Sequence, residues 1–185
     1  MKRVLLVHPY FYTGAKNDQL FTPIGIGILS AVLKQNGIDV MTLDCTFLTL
    51  EEAVNKAQEY KPDITGIYIM TTFTKSALEL MEKLREVNPD CIYAAGGPLP
   101  TLYPSKFAEK FDCVFKGEAA ISFPAFCRDY LTASNKIEFI DSMNSLKYAG
   151  IYSTKMGLVE SPIMHLTKKE IDECPVPDRN GFNHK

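Results

Sequence analysis

The chain has 185 residues, a formal net charge of -2 and a hydrophobic content of 46%. A length of this order suits one domain with a small appendage, and such a chain buries about 70% of its extended surface on folding. The charge lacks the basic excess of a nucleic-acid binder, and no apolar stretch approaches the roughly 20 residues that cross a bilayer. We therefore expect a cytoplasmic domain with a small-molecule or protein partner, no nucleic acid and no membrane span.

Short β-branched runs alternate with longer helical patterns up to about residue 132. Val4–Val7 is the first strand, and Pro23–Gln35 has the apolar spacing of a helix, with Gly37 placed as its C-terminal cap. Further strands are predicted at 38–43, 62–70, 91–95 and 113–116, and further helices at 51–60, 76–87, 106–110 and 119–131. Five such units predict a doubly wound, Rossmann-like α/β domain of flavodoxin type, with a parallel sheet in the order 2-1-3-4-5.

The rhythm changes after about residue 135. Segments 148–153 and 158–160 flank the turn Lys155-Met156-Gly157 and predict a C-terminal β-hairpin extension. Thr167 and Glu170 have the spacing of a capping box in front of one short turn of helix.

The last stretch, Cys174–Gly181, is rich in proline and polar residues. This composition is typical of a linker and not of a segment packed in a core. We expect residues 1–134 to form the α/β domain and residues 135–185 to form a hairpin and linker.

The cysteines are widely spaced and odd in number. They match neither a disulfide framework nor a C-x-x-C metal pair. We expect most of them to be small packing residues in a reducing compartment. They are Cys45, Cys91, Cys113, Cys127 and Cys174.

The loops after the strands form the candidate ligand site, because open parallel sheets bind ligands at the carboxyl ends of their strands. Gly96-Gly97 lets backbone approach a ligand and leaves amides free to donate, with Pro98 and Pro100 stiffening the loop, although an ordinary tight turn is the alternative. Thr71-Thr72 offers hydroxyls to a ligand or caps a helix, and Gly117-Glu118 either contacts a ligand or places an acid at a helix N-terminus. The predicted contacts are His8, Pro9, Tyr10, Met70, Thr71, Thr72, Phe73, Gly96, Gly97, Pro98, Gly117 and Glu118.

His8 is the one histidine in the mouth of the predicted sheet, since His165 and His184 lie in the tail. No second ligand stands at a metal spacing from it, and no nucleophilic triad can be assembled, so no catalytic or metal-binding residue is predicted. The chain has no P-loop and no G-x-G-x-x-G after a strand. Gly25-Ile26-Gly27 falls inside a predicted helix, where it is expected to permit close helix–sheet packing.

Several segments, taken in order, carry a resemblance to a known family. They are 22–40, 62–67, 95–101, 115–119 and the pair 150–159 and 173–177. In the order given, they resemble five parts of the domains of one family: the first helix, the third strand, the loop after the fourth strand, the loop after the fifth strand, and the bridge to the next domain. That family is the N-terminal cobalamin (vitamin B12)-binding domain of cobalamin-dependent radical SAM proteins.

The resemblance implies a domain that holds cobalamin at the carboxyl edge of the sheet. The nucleotide tail would lie along a cleft lined by Thr71, Thr72, Gly96 and Gly97, and the corrin ring over the loops that begin at His8 and Gly117. In the family, cobalamin typically relays a methyl group from S-adenosylmethionine to an unreactive carbon or phosphorus.

Two departures from related patterns limit what the resemblance implies. The Asp-x-His-x-x-Gly motif of the methionine-synthase type is absent, because Leu6 and Phe11 stand at its outer positions around His8. Base-off binding without a protein histidine ligand is therefore expected. The Cys-x-x-x-Cys-x-x-Cys motif is also absent. The [4Fe–4S] cluster and S-adenosylmethionine would belong to a radical SAM domain acting in cis or in trans, and the chain alone is not expected to catalyse methyl transfer.

Two other functions stay open at the level of sequence. The first is a degenerate scaffold that serves substrate access or subunit contact, with Tyr10, Phe11 and Tyr12 filling the space of the corrin. The second is a flavin- or nucleotide-binding protein of flavodoxin type, although the first loop lacks a Ser/Thr-rich phosphate cradle.

Overall fold

The structure is a computed structural model that describes residues 3–15, 20–141, 147–155 and 159–182. The strands within them are β1 (Arg3–His8), β2 (Asp39–Asp44), β3 (Ile64–Tyr68), β4 (Ile92–Gly96), β5 (Cys113–Phe115), β6 (Ile151–Ser153) and β7 (Val159–Glu160). The helices are α1 (Ile24–Gln35), α2 (Leu50–Tyr60), α3 (Thr74–Val87), α4 (Pro98–Leu102), α5 (Pro104–Ala108), α6 (Ser122–Thr132), α7 (Lys136–Asp141) and α8 (Lys168–Asp172). A single 3-10 turn, Thr71–Phe73, precedes α3.

The strands form one sheet in the order β2-β1-β3-β4-β5-β6-β7. Strands β1 to β5 are parallel, which confirms the predicted order 2-1-3-4-5. The predicted hairpin is β6 and β7, and it extends the same sheet in antiparallel fashion from β5. Met156 and Gly157 of the predicted turn lie outside the described residues, as does His184.

Helices cover both faces of the sheet because the central strands bury both of their faces. In β1, Val4 and Leu6 pack on the side of α1 and α6. Leu5 and Val7 pack on the opposite side, against α2 and α3. This alternation places every second residue of β1, β3 and β4 on the α1/α6 side, where the cavity described below lies.

The helix ends follow local chemistry that the sequence predicted. Gly37 adopts a left-handed φ of 71° just after α1. Thr167 and Glu170 form the predicted capping box of α8, with the Thr167 hydroxyl accepting from the Glu170 amide and the Glu170 carboxylate accepting from the Thr167 amide. Among the described residues, no helix is long and apolar enough to cross a membrane.

The loop after β4 differs from the prediction. Pro98 does not stiffen an extended loop but opens the short helix α4, with Pro98 in its first turn. Proline is favoured there because the first amides of a helix have no intrahelical acceptor to lose.

Four cysteines are buried, as expected for packing residues, and only Cys174 is partly exposed. Burial raises the pKa of Cys91 to about 12, and it raises the pKa of the three other buried thiols well above the usual range. These thiols are therefore protonated and unreactive at neutral pH.

The segment from Cys174 to Asp178, which we call the strap, lies against α1. The Asp178 amide donates to the Gly27 carbonyl at 3.0 Å. The Asp178 carboxylate accepts from the Ser30 hydroxyl at 2.7 Å and from the Lys34 ammonium at 2.6 Å. Just beyond it, Phe182 is buried in the α1/α6 core. The prediction that this stretch is a linker outside the core is wrong. Phe182 packs in the core, and polar groups of α1 hold the strap against the domain.

Gly27 explains how the strap comes so close to α1. A Cβ built on Gly27 would lie 2.9 Å from the Asp178 carbonyl oxygen and 3.1 Å from the Pro177 Cβ. From sequence, the two glycines of α1 are expected to permit close helix–sheet packing. Gly27 instead permits the approach of the strap, and a Cβ on Gly25 would meet nothing within 4 Å.

Candidate functional site

A cavity of about 600 Å³ lies between the carboxyl half of the sheet and the helices α1 and α6. The sheet, α1, the start of α6 and the C-terminal segment each supply one wall. The sheet wall comprises Leu6, Gly66, Ile67, Tyr68, Ala94, Ala95, Gly96, Gly97, Phe115, Gly117 and Glu118. The other walls comprise Gly25, Ile26, Ile28, Leu29, Ala119, Ala120, Phe123, Leu166, Ile171 and Cys174–Pro177.

Small residues on the sheet create the space for this cavity. At Gly66 the neighbouring side chains leave no room for a larger residue, since a Cβ there would lie 3.2 Å from a Leu6 methyl and 3.2 Å from the Phe123 ring. Gly96 is different, because a Cβ there would meet no atom within 4 Å. The volume that a side chain at 96 would fill therefore belongs to the cavity.

Gly97 is required by the backbone. Its φ is 103°, and a Cβ would lie 2.8 Å from the Ile69 carbonyl oxygen and 2.9 Å from the Tyr68 ring. Only glycine adopts this conformation without strain, so the second predicted glycine makes the turn while the first leaves room.

Thr101 joins two of the predicted loops. Its hydroxyl donates to the Gly97 carbonyl at 2.9 Å and accepts from the Gly117 amide at 2.9 Å. The loop after β4 and the loop after β5 are thereby held side by side at the edge of the cavity. The sequence analysis did not select Thr101, because its role depends on a contact between distant loops.

Glu118 organises the rim of the cavity. Its carboxylate accepts from the Leu166 amide at 2.7 Å, and its own amide donates to the Met164 carbonyl at 3.0 Å. Among the described lining residues, Glu118 alone carries a charge. The interior is therefore suited to a neutral, largely apolar group.

The loop after β3 lies at the same sheet edge but outside the cavity lining. Thr71 and Thr72 are exposed in the 3-10 turn, and Met70 precedes it. Phe73 is buried and packs against His8. Pro98 is exposed at the start of α4 and also does not line the cavity.

His8 ends β1 on the same sheet face as Leu6, and it is fully buried. Its ring is surrounded by the rings of Tyr10, Phe21, Tyr68 and Phe73. Neither ring nitrogen has a hydrogen-bond partner among the described residues.

Burial lowers the pKa of His8 to about 4, an effect only partly opposed by the charge of Asp44. The imidazole is therefore neutral at physiological pH. It contacts Tyr68, which lines the cavity, but His8 does not itself line it. Pro9 is buried behind it, and its carbonyl accepts from the Ser76 hydroxyl at 3.1 Å.

The aromatic residues of the first loop leave the cavity open. Tyr10 packs on His8 and Phe21, Tyr12 packs on Phe47, and Phe11 packs on the opposite face of the sheet. None of the three belongs to the lining.

The described residues contain no group of three His, Cys, Asp or Glu side chains placed to hold a metal ion. The loops after β4 and β5 supply the predicted contacts that line the cavity. Four of the predicted contacts line it, namely Gly96, Gly97, Gly117 and Glu118.

Sequence analysis missed the walls given by α1 and by the strap. Two signals pointed to them: two glycines inside α1, and an aspartate that follows three apolar strap residues. Neither signal predicts a wall of the cavity by itself, because the contact between residues 178 and 27 forms only in the folded chain.

Comparison with protein families places a B12 binding domain at residues 13–127. A curated relative, the anaerobic magnesium-protoporphyrin IX monomethyl ester cyclase of Rubrivivax gelatinosus, is 32% identical over 126 residues. Those residues are 63% of this chain and 22% of the relative. An uncharacterized methyltransferase of Pyrococcus horikoshii is 23% identical over 184 residues, which are 95% of this chain and 38% of the relative. The chain thus spans well under half the length of these two relatives.

A solved structure has the same fold. It is the cobalamin-dependent S-adenosylmethionine radical enzyme OxsB with aqua-cobalamin and S-adenosylmethionine bound. It superposes with a TM-score of 0.69 at 19% identity, over 96% of this chain and 24% of that chain. The same enzyme in its apo form gives a TM-score of 0.68 at 21% identity, over the same shares of the two chains.

Proposed function

Since the chain belongs to the B12-binding domain family, we propose that it binds cobalamin at the carboxyl edge of its sheet, in the base-off form. Its fold is that of the domain found in cobalamin-dependent radical SAM enzymes. The single observation that carries the proposal is the open apolar cavity beside Gly96.

The residues present fit the nucleotide tail of cobalamin. A benzimidazole base is flat, neutral and largely apolar, and the cavity offers about 600 Å³ between apolar walls. A side chain at 96 would occupy part of that space, and the sequence has glycine there. The base would lie between the sheet and α1, where Leu6, Leu29 and Phe123 line the walls.

The corrin ring would lie above the mouth of the cavity. The loops that would hold it begin at His8, Met70, Gly96 and Gly117, which lie at or just after the carboxyl ends of strands. Thr71 and Thr72 are exposed there, with hydroxyls available to the amide side chains of the corrin. Bound cobalamin would supply a cobalt centre able to carry a methyl group.

No protein histidine is proposed as a cobalt ligand. The imidazole of His8 is enclosed by four aromatic rings, and it is neutral because burial keeps its pKa near 4. A neutral imidazole in this position would support the wall of the cavity through Tyr68.

The wider assignment follows the family and is part of the same proposal. The α/β domain predicted at residues 1–134, completed by the hairpin in its sheet and by the strap at its cavity, would be followed by a radical SAM domain in cis or would meet one in trans. That domain would hold the [4Fe–4S] cluster and S-adenosylmethionine in a cytoplasmic, methyltransferase-type enzyme. The present chain would bind and orient the cofactor without catalysing the transfer alone.

Binding is tested by mixing the purified protein with hydroxocobalamin, desalting it and recording the visible spectrum. We expect retained corrin absorbance near one equivalent, with the band shift that accompanies loss of the lower base from cobalt. Cobinamide, which lacks the nucleotide tail, is the matched ligand and should bind more weakly. Loss of all corrin absorbance on desalting, at protein concentrations well above micromolar, would refute the proposal.

The alternative function is a scaffold of the same fold that binds no cobalamin. Tyr10, Phe11 and Tyr12 do not fill the cavity proposed for the nucleotide tail, because none of them lines it, and the alternative therefore concerns only the space proposed for the corrin. A protein that retains neither cobalamin nor cobinamide would favour this alternative.

A further inference from the structure

The strap, Cys174–Asp178, forms the outer wall of the cavity although it is about 150 residues away from α1 in sequence. Cys174, Pro175, Val176 and Pro177 all line the cavity. Their positions are set by Asp178, the next residue, which is bound to α1. The wall therefore depends on a few polar contacts and has no β-ladder of its own.

The polar contacts of Asp178 are concentrated on one carboxylate oxygen. Oδ2 accepts from the Ser30 hydroxyl and the Lys34 ammonium, and the Asp178 side chain is only 10% exposed. Oδ1 accepts from the Asn180 amide at 3.1 Å. A charge-assisted hydrogen bond in a partly buried setting is among the stronger polar contacts in proteins.

The rest of the strap is weakly held. Val176 is 85% exposed and Cys174 is partly exposed. Pro177 and Asp178 pack closely against Gly27, and the Cys174 amide donates to the Ile171 carbonyl at 3.1 Å. A segment with one strong anchor and few buried contacts opens locally at a lower free energy than the sheet behind it.

We propose that the strap is a latched wall of the ligand site, and that Asp178 is the positioning residue that keeps it closed on α1. When the latch opens, the cavity gains a side opening between α1 and α8. A flat aromatic base is then able to pass, and closure of the strap retains it. The part of this inference that concerns the ligand rests on the proposed function, whereas the latch itself does not.

The thiol of Cys174 reports on the wall directly. It is part of the strap and lines the cavity, and the four other cysteines are buried with raised pKa values. Because Cys174 is already partly exposed in the closed strap, its rate of alkylation with N-ethylmaleimide, followed by mass spectrometry, is compared between variants, and the increase over wild type measures the additional opening of the strap.

The first experiment uses the protein without ligand. Asp178→Ala removes the anchor, and Gly27→Ala forces a Cβ against the strap backbone. We expect both substitutions to speed Cys174 alkylation about tenfold, the effect of losing one strong polar contact. Glu173→Ala is the control, because it removes a neighbouring carboxylate whose contact with Lys169 at 3.7 Å is fully on the surface.

The buried cysteines show whether the fold survives. Cys45, Cys91, Cys113 and Cys127 should stay unlabelled in every variant, because they report on the sheet and its helices. Equal Cys174 rates in wild type, Asp178→Ala and Gly27→Ala, with the four others unlabelled, would overturn the latch.

The second experiment adds ligand in the dark, with methylcobalamin and methylcobinamide as the pair. We expect methylcobalamin to slow Cys174 alkylation in wild type, and methylcobinamide to have little effect because it has no tail for the cavity. Dissociation of methylcobalamin should be about tenfold faster from Asp178→Ala than from Glu173→Ala.

The two failures are distinguishable. Retained methylcobalamin with unchanged Cys174 alkylation would overturn the strap as a wall of the ligand site. No retention of either corrinoid would overturn the proposed function, and the ligand-free comparison would still decide whether Asp178 latches the strap.

Discussion

The ring of His8 meets the ring of Phe73 edge to face, with 5.4 Å between centroids and an angle of 85° between planes. This arrangement buries a titratable group among apolar neighbours, and the cost of desolvating its charged form lowers its pKa to about 4. His8 is consequently a group whose titration opposes folding in mild acid.

We predict that His8 makes the protein less stable as the pH falls from about 6.5 to about 4. In this range the unfolded chain binds a proton at His8 that the folded chain excludes, so the free energy of unfolding drops by about 1.4 kcal/mol per pH unit. Above about 6.5 both states are neutral and the effect vanishes. The total is on the order of 3 kcal/mol. Urea unfolding curves across this range measure it.

His8→Leu is the comparison for this prediction, because leucine is similar in size and has no proton to bind. The stability difference between the two proteins should shift in favour of the variant as the pH falls. A constant difference across the range would show that His8 does not carry this pH dependence.

The two adjacent glycines after β4 should respond differently to alanine. Gly97→Ala places a side chain at a φ of 103° and against the Ile69 carbonyl. We expect it to lower the free energy of unfolding by about 2 kcal/mol or more. Gly96→Ala meets no atom within 4 Å and should change it by less than about 1 kcal/mol. Thermal or urea unfolding distinguishes the two, and equal losses would contradict the assignment of the turn to Gly97.

Filling the cavity from Gly96 should block the ligand without unfolding the protein. Gly96→Leu directs a side chain into open space that the proposal gives to the nucleotide tail. Cobalamin affinity is expected to fall more than about tenfold, because the base and the leucine compete for one volume, and Gly96→Ala should cause a smaller loss. Spectroscopic titration measures both. A Gly96→Leu protein that is folded and binds as tightly as wild type would place the tail elsewhere.

Asp112 lies just before β5, at the amino end of the strands and away from the cavity, where it holds neighbouring elements together. Its buried carboxylate accepts from the Tyr93 amide at 2.8 Å and lies 3.3 Å from Arg85 and 3.7 Å from Lys136. Asp112→Ala removes the buried carboxylate that balances Arg85 and Lys136, and it takes the acceptor away from the Tyr93 amide. We expect the free energy of unfolding to fall by about 3 kcal/mol.

Glu82→Ala provides the control for Asp112, since Glu82 forms a surface pair with Lys110. It should lower the free energy of unfolding by less than about 1 kcal/mol. Because Asp112 is remote from the cavity, its variant should bind cobalamin normally at temperatures where it is folded. Equal losses from the two substitutions would contradict the anchoring role.

The parallel sheet was predictable from sequence because its signals are local. Periodic apolar residues marked α1, and the Thr167–Glu170 spacing marked the cap of α8. Strand order followed from the preference of short βα connections for one topology. Gly96 and Gly117 line the cavity as predicted, because glycines at the carboxyl ends of strands are a local signal for close approach of backbone to a ligand or for a turn.

The missed parts of the site depend on contacts between residues far apart in the chain. Pro175 and Pro177 have the composition of a linker and predicted one. Composition cannot predict that the Asp178 carboxylate binds the Lys34 ammonium. Thr71 and Thr72 have the right chemistry and lie at the right edge of the sheet, but they are exposed in the 3-10 turn and do not line the cavity.

The contact between Ser30 and Asp178 spans 148 positions of the chain. Synthesis proceeds from the amino terminus, so the five parallel strands leave the ribosome before the strap does. At about 5 to 20 residues per second, several seconds separate the appearance of Thr132, the end of α6, from that of Asp178. During that interval the ligand site is an open trough with three walls. A cofactor that arrives while the chain is still being made meets no latch, whereas one that arrives later must wait for the strap to open.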